Sequence, residues 1–221
     1  VWAPDGTKSS VDHPAGFADR AYIDPLLTAS MPTRLTAAVG LDALTHAMES
    51  LWGRHATPTS SKFAARAIEL IHPNLVEVAR SPNQQGRDAL TLGSVLAGMA
   101  LSQTRSAIAH ALSYQLTGEF GIEHGLAVGL IALAVLRLDE ADAPKERVRV
   151  VQAGGGRIET LTDVIEQIFS AIDHHPSLNS FGVPDSGIEA IVETALRSNR
   201  LGNMAGTWQA AELNSLLQTI R

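Results

Sequence analysis

The sequence contains no cysteine. This absence excludes disulfide bonds, thiolate metal ligands and a cysteine nucleophile, and it is typical of proteins of the reducing cytoplasm. Basic residues are also few, since 17 Lys and Arg stand against 23 Asp and Glu for a net charge of −6. The chain therefore lacks the positive surface that binds nucleic acids or anionic lipids, and neither is an expected partner.

Long hydrophobic runs are missing as well. The longest apolar stretch, residues 125–138, is shorter than the ~20 residues that cross a bilayer, so it predicts a buried helix and no membrane partner. Neither a secretory signal nor a transit peptide is recognisable at the start. With 45% hydrophobic and 18% charged residues, the 221-residue chain is expected to bury a substantial core.

Strand character is confined to residues 1–31. Asp5-Gly6 is a strong hairpin-turn dipeptide, and residues 21–24 (AYID) are a short strand candidate. From Pro32 onward, apolar periodicity and the start and stop signals favour helices. The predicted helices cover residues 32–51, 58–80, 85–103, 110–116, 124–138, 145–152, 158–173, 184–199 and 208–220. The predicted fold class is therefore mainly all-α, a helical bundle over residues 32–221 with a short β-hairpin or strand segment before it.

Asp42 and His46 stand four residues apart in the apolar, helix-forming stretch LDALTHAMES. Positions i and i+4 lie on one face of a helix, so both side chains can reach a single small ion. An isolated pair of this kind is more often an intrahelical hydrogen bond than a metal site. Glu49 stands one turn beyond His46, and Glu123 is next to His124. Either acid could support a ligand from outside the cluster, but both are expected to face solvent.

His110 and His124 lie fourteen residues apart, each among apolar and small residues. A helix, a loop (residues 117–123) and the start of another helix can return both rings to one point. Together with Asp42 and His46 they form a nitrogen and oxygen ligand set suited to a divalent metal such as Fe²⁺ or Zn²⁺. The remaining histidines are expected to be structural or solvated: His13, His55, His72, His174 and His175.

The order and spacing of these residues resemble the iron-containing (group III) alcohol dehydrogenases. The family motif "GxDALTHAxE" appears here as GLDALTHAMES, with His110 64 residues after His46 and then EHG around His124. The resemblance is close over residues 1–140. It implies the helical C-terminal domain of a dehydroquinate-synthase-like enzyme, with Asp42, His46, His110 and His124 as metal ligands.

The resemblance also implies a reaction. NAD(P) would exchange a hydride with a small alcohol or aldehyde substrate while the metal, Fe²⁺ or Zn²⁺, polarises the substrate oxygen. Many family members carry a further histidine four residues after the third ligand, where this chain has Tyr114, whose hydroxyl is a candidate hydrogen-bond donor. The segment TRSAIAHALSY is similar to the corresponding segment in the phosphonoacetaldehyde reductase branch of the family. There Arg105 would meet an anionic substrate group, although a capping or surface role is equally compatible with its position.

The family's glycine-rich pyrophosphate loop and its GTGSE-like stretch are absent from this sequence. We therefore expect residues 1–31 to be the remnant of a missing nucleotide-binding domain, and the chain to be inactive without it. An apolar patch near residues 1–35 is also expected, with disorder there or self-association into a homo-oligomer.

Two alternatives stay open at this point. A non-catalytic helical interaction module would keep the acid and the histidines satisfied in a core and bind no metal. A metal-dependent phosphohydrolase is less favoured, because helical enzymes of that type use adjacent His-Asp pairs and no histidine here precedes an aspartate.

Overall fold

The computed structural model describes residues 13–16, 18–139, 145–204 and 206–221. The secondary structure of these residues is helical, which confirms the predicted all-α class. The α-helices are α1 (Thr33–Trp52), α2 (Pro58–Arg80), α3 (Gln84–Thr104), α4 (Ile108–Gly118), α5 (His124–Arg137), α6 (Arg147–Ala153), α7 (Ile158–Ala171), α8 (Asp185–Leu196) and α9 (Ala210–Gln218). Short 3-10 helices cover Pro14–Gly16, Pro25–Thr28, Asn179–Phe181 and Leu201–Asn203.

The strand predicted for residues 21–24 is wrong. These residues are exposed and form no ladder, and the β pairing seen in the described ranges is a single bridge between Gly53 and Met204. The segment has no neighbouring strand, so Asp24 instead caps the helix Pro25–Thr28 by accepting a hydrogen bond from the Leu26 N–H at 2.9 Å. The hairpin predicted around Asp5-Gly6 lies outside the described residues.

Local signals set the starts of helices α2 and α3. The Thr57 side chain accepts from the Ser60 N–H, and Ser60 accepts in return from the Thr57 N–H, so a capping box opens α2 next to Pro58. The Asn83 side chain caps α3 by accepting a hydrogen bond from the Gly86 N–H. α4 begins at Ile108 and runs to Gly118, so it is two residues longer at each end than predicted.

Helix α1 lies at the centre of the bundle, against α2, α3 and α5. Its inward side chains Leu41, Leu44, Met48 and Trp52 are almost completely buried. α5 is buried along nearly its whole length, from Gly125 to Leu136, as expected for the longest apolar stretch. Across the described residues, no helix combines the length and apolar character that crossing a bilayer requires.

The contact between α1 and α5 is unusually close at Gly125. A Cβ atom at this position would lie 1.8 Å from the Ala38 carbonyl oxygen, and one at Gly129 would lie 2.8 Å from the Leu41 Cδ1. Glycine therefore lets the two backbones touch. Because His124 precedes Gly125 directly, this contact also brings the His124 ring to α1.

Apolar side chains are exposed on one edge of the bundle. Tyr22 and Leu27 are 85% and 78% exposed, and Leu35 and Val39 continue the exposure along α1. The apolar surface predicted near residues 1–35 is thus present in the described part of that segment. Leu35, Val39, Asp42 and His46 share one helical face, so this surface leads to the candidate ligands.

The close approach at Gly125 generates a stability prediction. We expect Gly125→Ala to lower the free energy of unfolding by roughly 3 kcal/mol, because its methyl group collides with backbone rather than with a flexible side chain. Gly98→Ala is the matched control, since a Cβ there meets nothing within 4 Å and α3 gains about 0.5–1 kcal/mol of helix propensity. Urea denaturation of both variants checks this, and equal stabilities would contradict it.

Candidate metal centre

Asp42 and His46 lie on the partly exposed face of α1. The Asp42 Oδ1 and the His46 Nε2 are 3.6 Å apart, and the two side chains are 29% and 24% exposed. The opposite face of the helix is packed into the core. The pair is therefore held at the rim of the bundle by a helix whose own position is fixed by burial.

His110 approaches the same carboxylate from the first turn of α4. Its Nε2 lies 3.4 Å from the Asp42 Oδ1, and its side chain is only 5% exposed. The rings of His110 and His46 are stacked, with centroids 4.6 Å apart and an angle of 12° between their planes. Neutral rings can stack at this distance, whereas two imidazolium rings would repel each other.

His124 is the first residue of α5 and completes the cluster from a third helix. Its Nε2 lies 3.9 Å from the Asp42 Oδ1. One ligand atom from each of Asp42, His110 and His124 lies within 4.8 Å of the other two. The structure thus brings all four predicted residues to one point, although their role as metal ligands stays a prediction.

The cluster has the properties of a cation site. The Asp42 Oδ1 and the His110 Nε2 are buried and make no hydrogen bond within the part of the chain that the structure describes. Buried polar atoms without a partner are costly, and a cation between these two atoms would satisfy both. A set of imidazole nitrogens and one carboxylate suits Fe²⁺ or Zn²⁺, so the residues present fit such an ion.

Glu49 is completely buried, and the prediction that it faces solvent is wrong. Its carboxylate accepts hydrogen bonds from the backbone N–H groups of Ala107 and Ala109, at 2.8 and 2.7 Å. It also lies 2.7 Å from the His110 Nδ1. When the proton is on Nδ1, this N–H donates a hydrogen bond to Glu49, and the Nε2 keeps its lone pair toward Asp42. Glu123, by contrast, is exposed as predicted and pairs with Arg34 at 2.8 Å.

A signal for Glu49 was present in the sequence. It stands seven residues after Asp42, which is two helical turns, so it belongs to the same side of α1 as Asp42 and His46. Only the packing of α4 across that face buries it, and a linear pattern does not contain that packing.

The electrostatics of the cluster follow from burial and opposite charge. Burial raises the pKa of Asp42, but the His110, His46 and His124 side chains outweigh it and lower that pKa to about 2. Burial lowers the pKa of His110, yet the negative charges of Glu49 and Asp42 raise it to about 9. Burial is the main cause that lowers the pKa of His46. In the absence of a metal, the protein therefore favours a proton on His110, between two carboxylates.

The two residues that the sequence suggested for catalysis lie next to this cluster along the chain. Tyr114 is one turn beyond His110 on α4 and is partly buried, with the Arg200 guanidinium over its ring at 5.2 Å from the centroid. Arg105 is exposed at the end of α3 and has a positive φ of 66°. Their catalytic roles stay predictions.

Comparison with known proteins identifies the fold. Residues 36–220 match the model of the C-terminal domain of the Fe-containing alcohol dehydrogenase family. The chain belongs to the iron-containing alcohol dehydrogenase family. The four-residue cluster accordingly lies in the helical domain of this family, as the motif GLDALTHAMES predicted.

Individual relatives give the same result. The chain is 36% identical to long-chain-alcohol dehydrogenase 1 of Geobacillus thermodenitrificans, over 91% of this chain and 53% of that protein. It is 30% identical to the sulfoacetaldehyde reductase of Bilophila wadsworthia, over 90% and 54%. The crystal structure of the Bifidobacterium kashiwanohense sulfoacetaldehyde reductase with NAD⁺ superposes with a TM-score of 0.79, at 28% identity, over 89% and 53%. The chain thus spans about half the length of these relatives.

The raised pKa of His110 predicts a pH dependence. Since this pKa is about 9 in the folded chain against an ordinary 6.5, protonated His110 stabilises the fold fully below pH 6.5, and this stability is lost as the pH rises through 9. For the metal-free chain we expect the free energy of unfolding to fall by about 3 kcal/mol over that range.

Urea denaturation at a series of pH values measures this loss. Glu49→Gln removes the charge that contributes most to raising the pKa of His110, so it should flatten the alkaline decline. If the stability of the wild-type chain stayed constant from pH 6.5 to 9, this result would contradict the assignment of a proton to His110.

Proposed function

We propose that this chain is the metal-binding helical part of an NAD(P)-dependent alcohol dehydrogenase or aldehyde reductase. The observation that carries the proposal is the convergence of His46, His110 and His124, from three helices, on one carboxylate oxygen of Asp42. Family membership supports the same reaction class. A bound Fe²⁺ or Zn²⁺ would supply Lewis acidity toward a substrate oxygen, and the nicotinamide would exchange the hydride.

The protein residues have distinct tasks in this proposal. Asp42 offsets the positive charge of the ion, and Glu49 keeps the His110 ring in the orientation that offers its Nε2. Tyr114, one turn from His110, donates a hydrogen bond toward the substrate. The His110 side chain is only 5% exposed, so the electrostatic contacts of its ring are little screened by water.

The proposed substrate is a small alcohol or its aldehyde. The relatives named above are a long-chain-alcohol dehydrogenase and sulfoacetaldehyde reductases, so they support the class without fixing the member. Because one of these substrates carries a sulfonate, an anionic substrate is compatible with the proposal. The nucleotide-binding part would be supplied by residues outside this sequence.

Metal content tests the proposal directly. We expect the purified chain to bind about one Fe²⁺ or Zn²⁺ per molecule, and His110→Ala to lose at least tenfold in affinity because the most buried ligand is removed. His55→Ala is the control, since His55 is exposed and away from the cluster in sequence. Elemental analysis after dialysis gives the answer.

The alternative of a non-catalytic interaction module makes the opposite prediction. In that case the wild-type chain and His110→Ala would bind equally little metal, and a chelator would leave the melting temperature unchanged. If the wild-type chain binds the ion, by contrast, adding a chelator should lower its melting temperature, because bound metal stabilises the folded state by mass action.

Cofactor dependence gives a separate prediction. Since this sequence contains no glycine-rich pyrophosphate loop, we expect the metal-loaded chain alone to show no NAD(P)-dependent oxidation of propan-1-ol. Absorbance at the nicotinamide wavelength measures the rate. Appreciable turnover would contradict the proposal that cofactor binding needs a separate nucleotide-binding part. It would leave the proposed metal site unaffected.

A further inference from the structure

Arg200 lies near the candidate metal centre although it is distant from it in sequence. Its guanidinium carbon is 5.2 Å from the centre of the Tyr114 ring, and its NH1 group donates to the Ser106 hydroxyl. Tyr114 is one turn beyond His110, and Ser106 precedes the first turn of α4. The residue therefore contacts the segment that carries His110 on two sides.

The loop that carries Arg200 is held firmly in place. The Asn203 side chain donates to the Ser106 carbonyl at 2.9 Å, and the Asn203 carbonyl accepts from the Arg54 N–H at 2.7 Å. Met204 is completely buried and forms the bridge with Gly53. These contacts tie the loop to the end of α1 and to the start of α4, so the Arg200 cation has a defined position relative to both.

Arg200 places a positive charge beside the segment that carries His110. Its two contacts, Ser106 and Tyr114, stand four residues before and four residues after His110. A guanidinium fixed beside this segment, together with a divalent ion held by the cluster, would make the electrostatic potential of the region positive. An anionic group placed between the two positive charges would be attracted by both.

We propose that Arg200 is a specificity-determining residue that binds the anionic group of a small alcohol or aldehyde substrate. The group is a sulfonate, phosphonate or carboxylate, and the reacting oxygen of the same molecule lies at the Asp42–His46–His110–His124 cluster. This inference rests on the proposed function. It assigns the anion contact to the partly buried Arg200, held over Tyr114, instead of to the exposed Arg105.

Calorimetric titration of the cobalt(II)-loaded chain with 2-hydroxyethanesulfonate tests the proposal, with propan-1-ol as the uncharged comparison. We expect the wild-type chain to bind the sulfonate, and Arg200→Gln to weaken this binding by roughly ten- to hundredfold. Arg200→Lys should lose less, because it keeps the charge but not the paired donors. Cobalt content and the response to propan-1-ol should stay unchanged in both variants.

Arg197→Gln is the matched control. Arg197 lies three residues earlier, is 77% exposed and pairs with Glu193, so its removal changes the net charge equally without touching Tyr114 or Ser106. Its sulfonate affinity should stay within twofold of the wild type. Arg105→Gln should also leave the affinity unchanged, which separates the two arginines.

Three results would overturn the assignment of Arg200. These are unchanged sulfonate affinity in Arg200→Gln, an equal loss in Arg197→Gln, and no sulfonate binding by the wild-type chain. A chain that binds no cobalt would instead refute the proposed function. The titration is therefore repeated on the metal-free chain, where binding that depends on Arg200 would still support the anion site.

Discussion

The buried carboxylate of Glu49 is the contact on which the geometry of the site depends. It joins α1 to two backbone N–H groups at the start of α4 and to the His110 ring. A charged group with no solvent contact is tolerated only when its oxygens are satisfied, and here they are satisfied by the segment that must be positioned. The same interaction therefore stabilises the junction of two helices and sets the direction of one candidate ligand.

For His124, the position of the ring is set by steric packing and not by a charged contact. Gly125 removes the side chain that would keep α5 away from α1, and the backbone contact at Ala38 then determines where the His124 ring begins. The four candidate ligands thus depend on two different kinds of contact, one polar and one steric. Both contacts are made with α1, so this helix carries core packing on one face and two of the candidate ligands on the other.

Sequence patterns predicted the helices well because the signals are local. The caps at Thr57 and Asn83 act over three residues, and the boundaries they predict agree with the structure within a residue or two. The strand at residues 21–24 was predicted wrongly because a strand needs a partner, and a short extended segment carries no information about whether a partner exists. Glu49 was misjudged for a similar reason, since its burial depends on a helix almost sixty residues away.

The sequence by itself determined the helical class, the positions of the helices and the identity of the four residues that the family motif singles out. These properties depend on residues within a few helical turns or on a short sequence motif. Only the tertiary structure decided that the four side chains share one carboxylate oxygen, that Glu49 orients His110, and that Arg200 reaches Tyr114. Apart from the Asp42–His46 pair, these contacts join residues about sixty to more than eighty positions apart, and their distances are set by how the helices pack together.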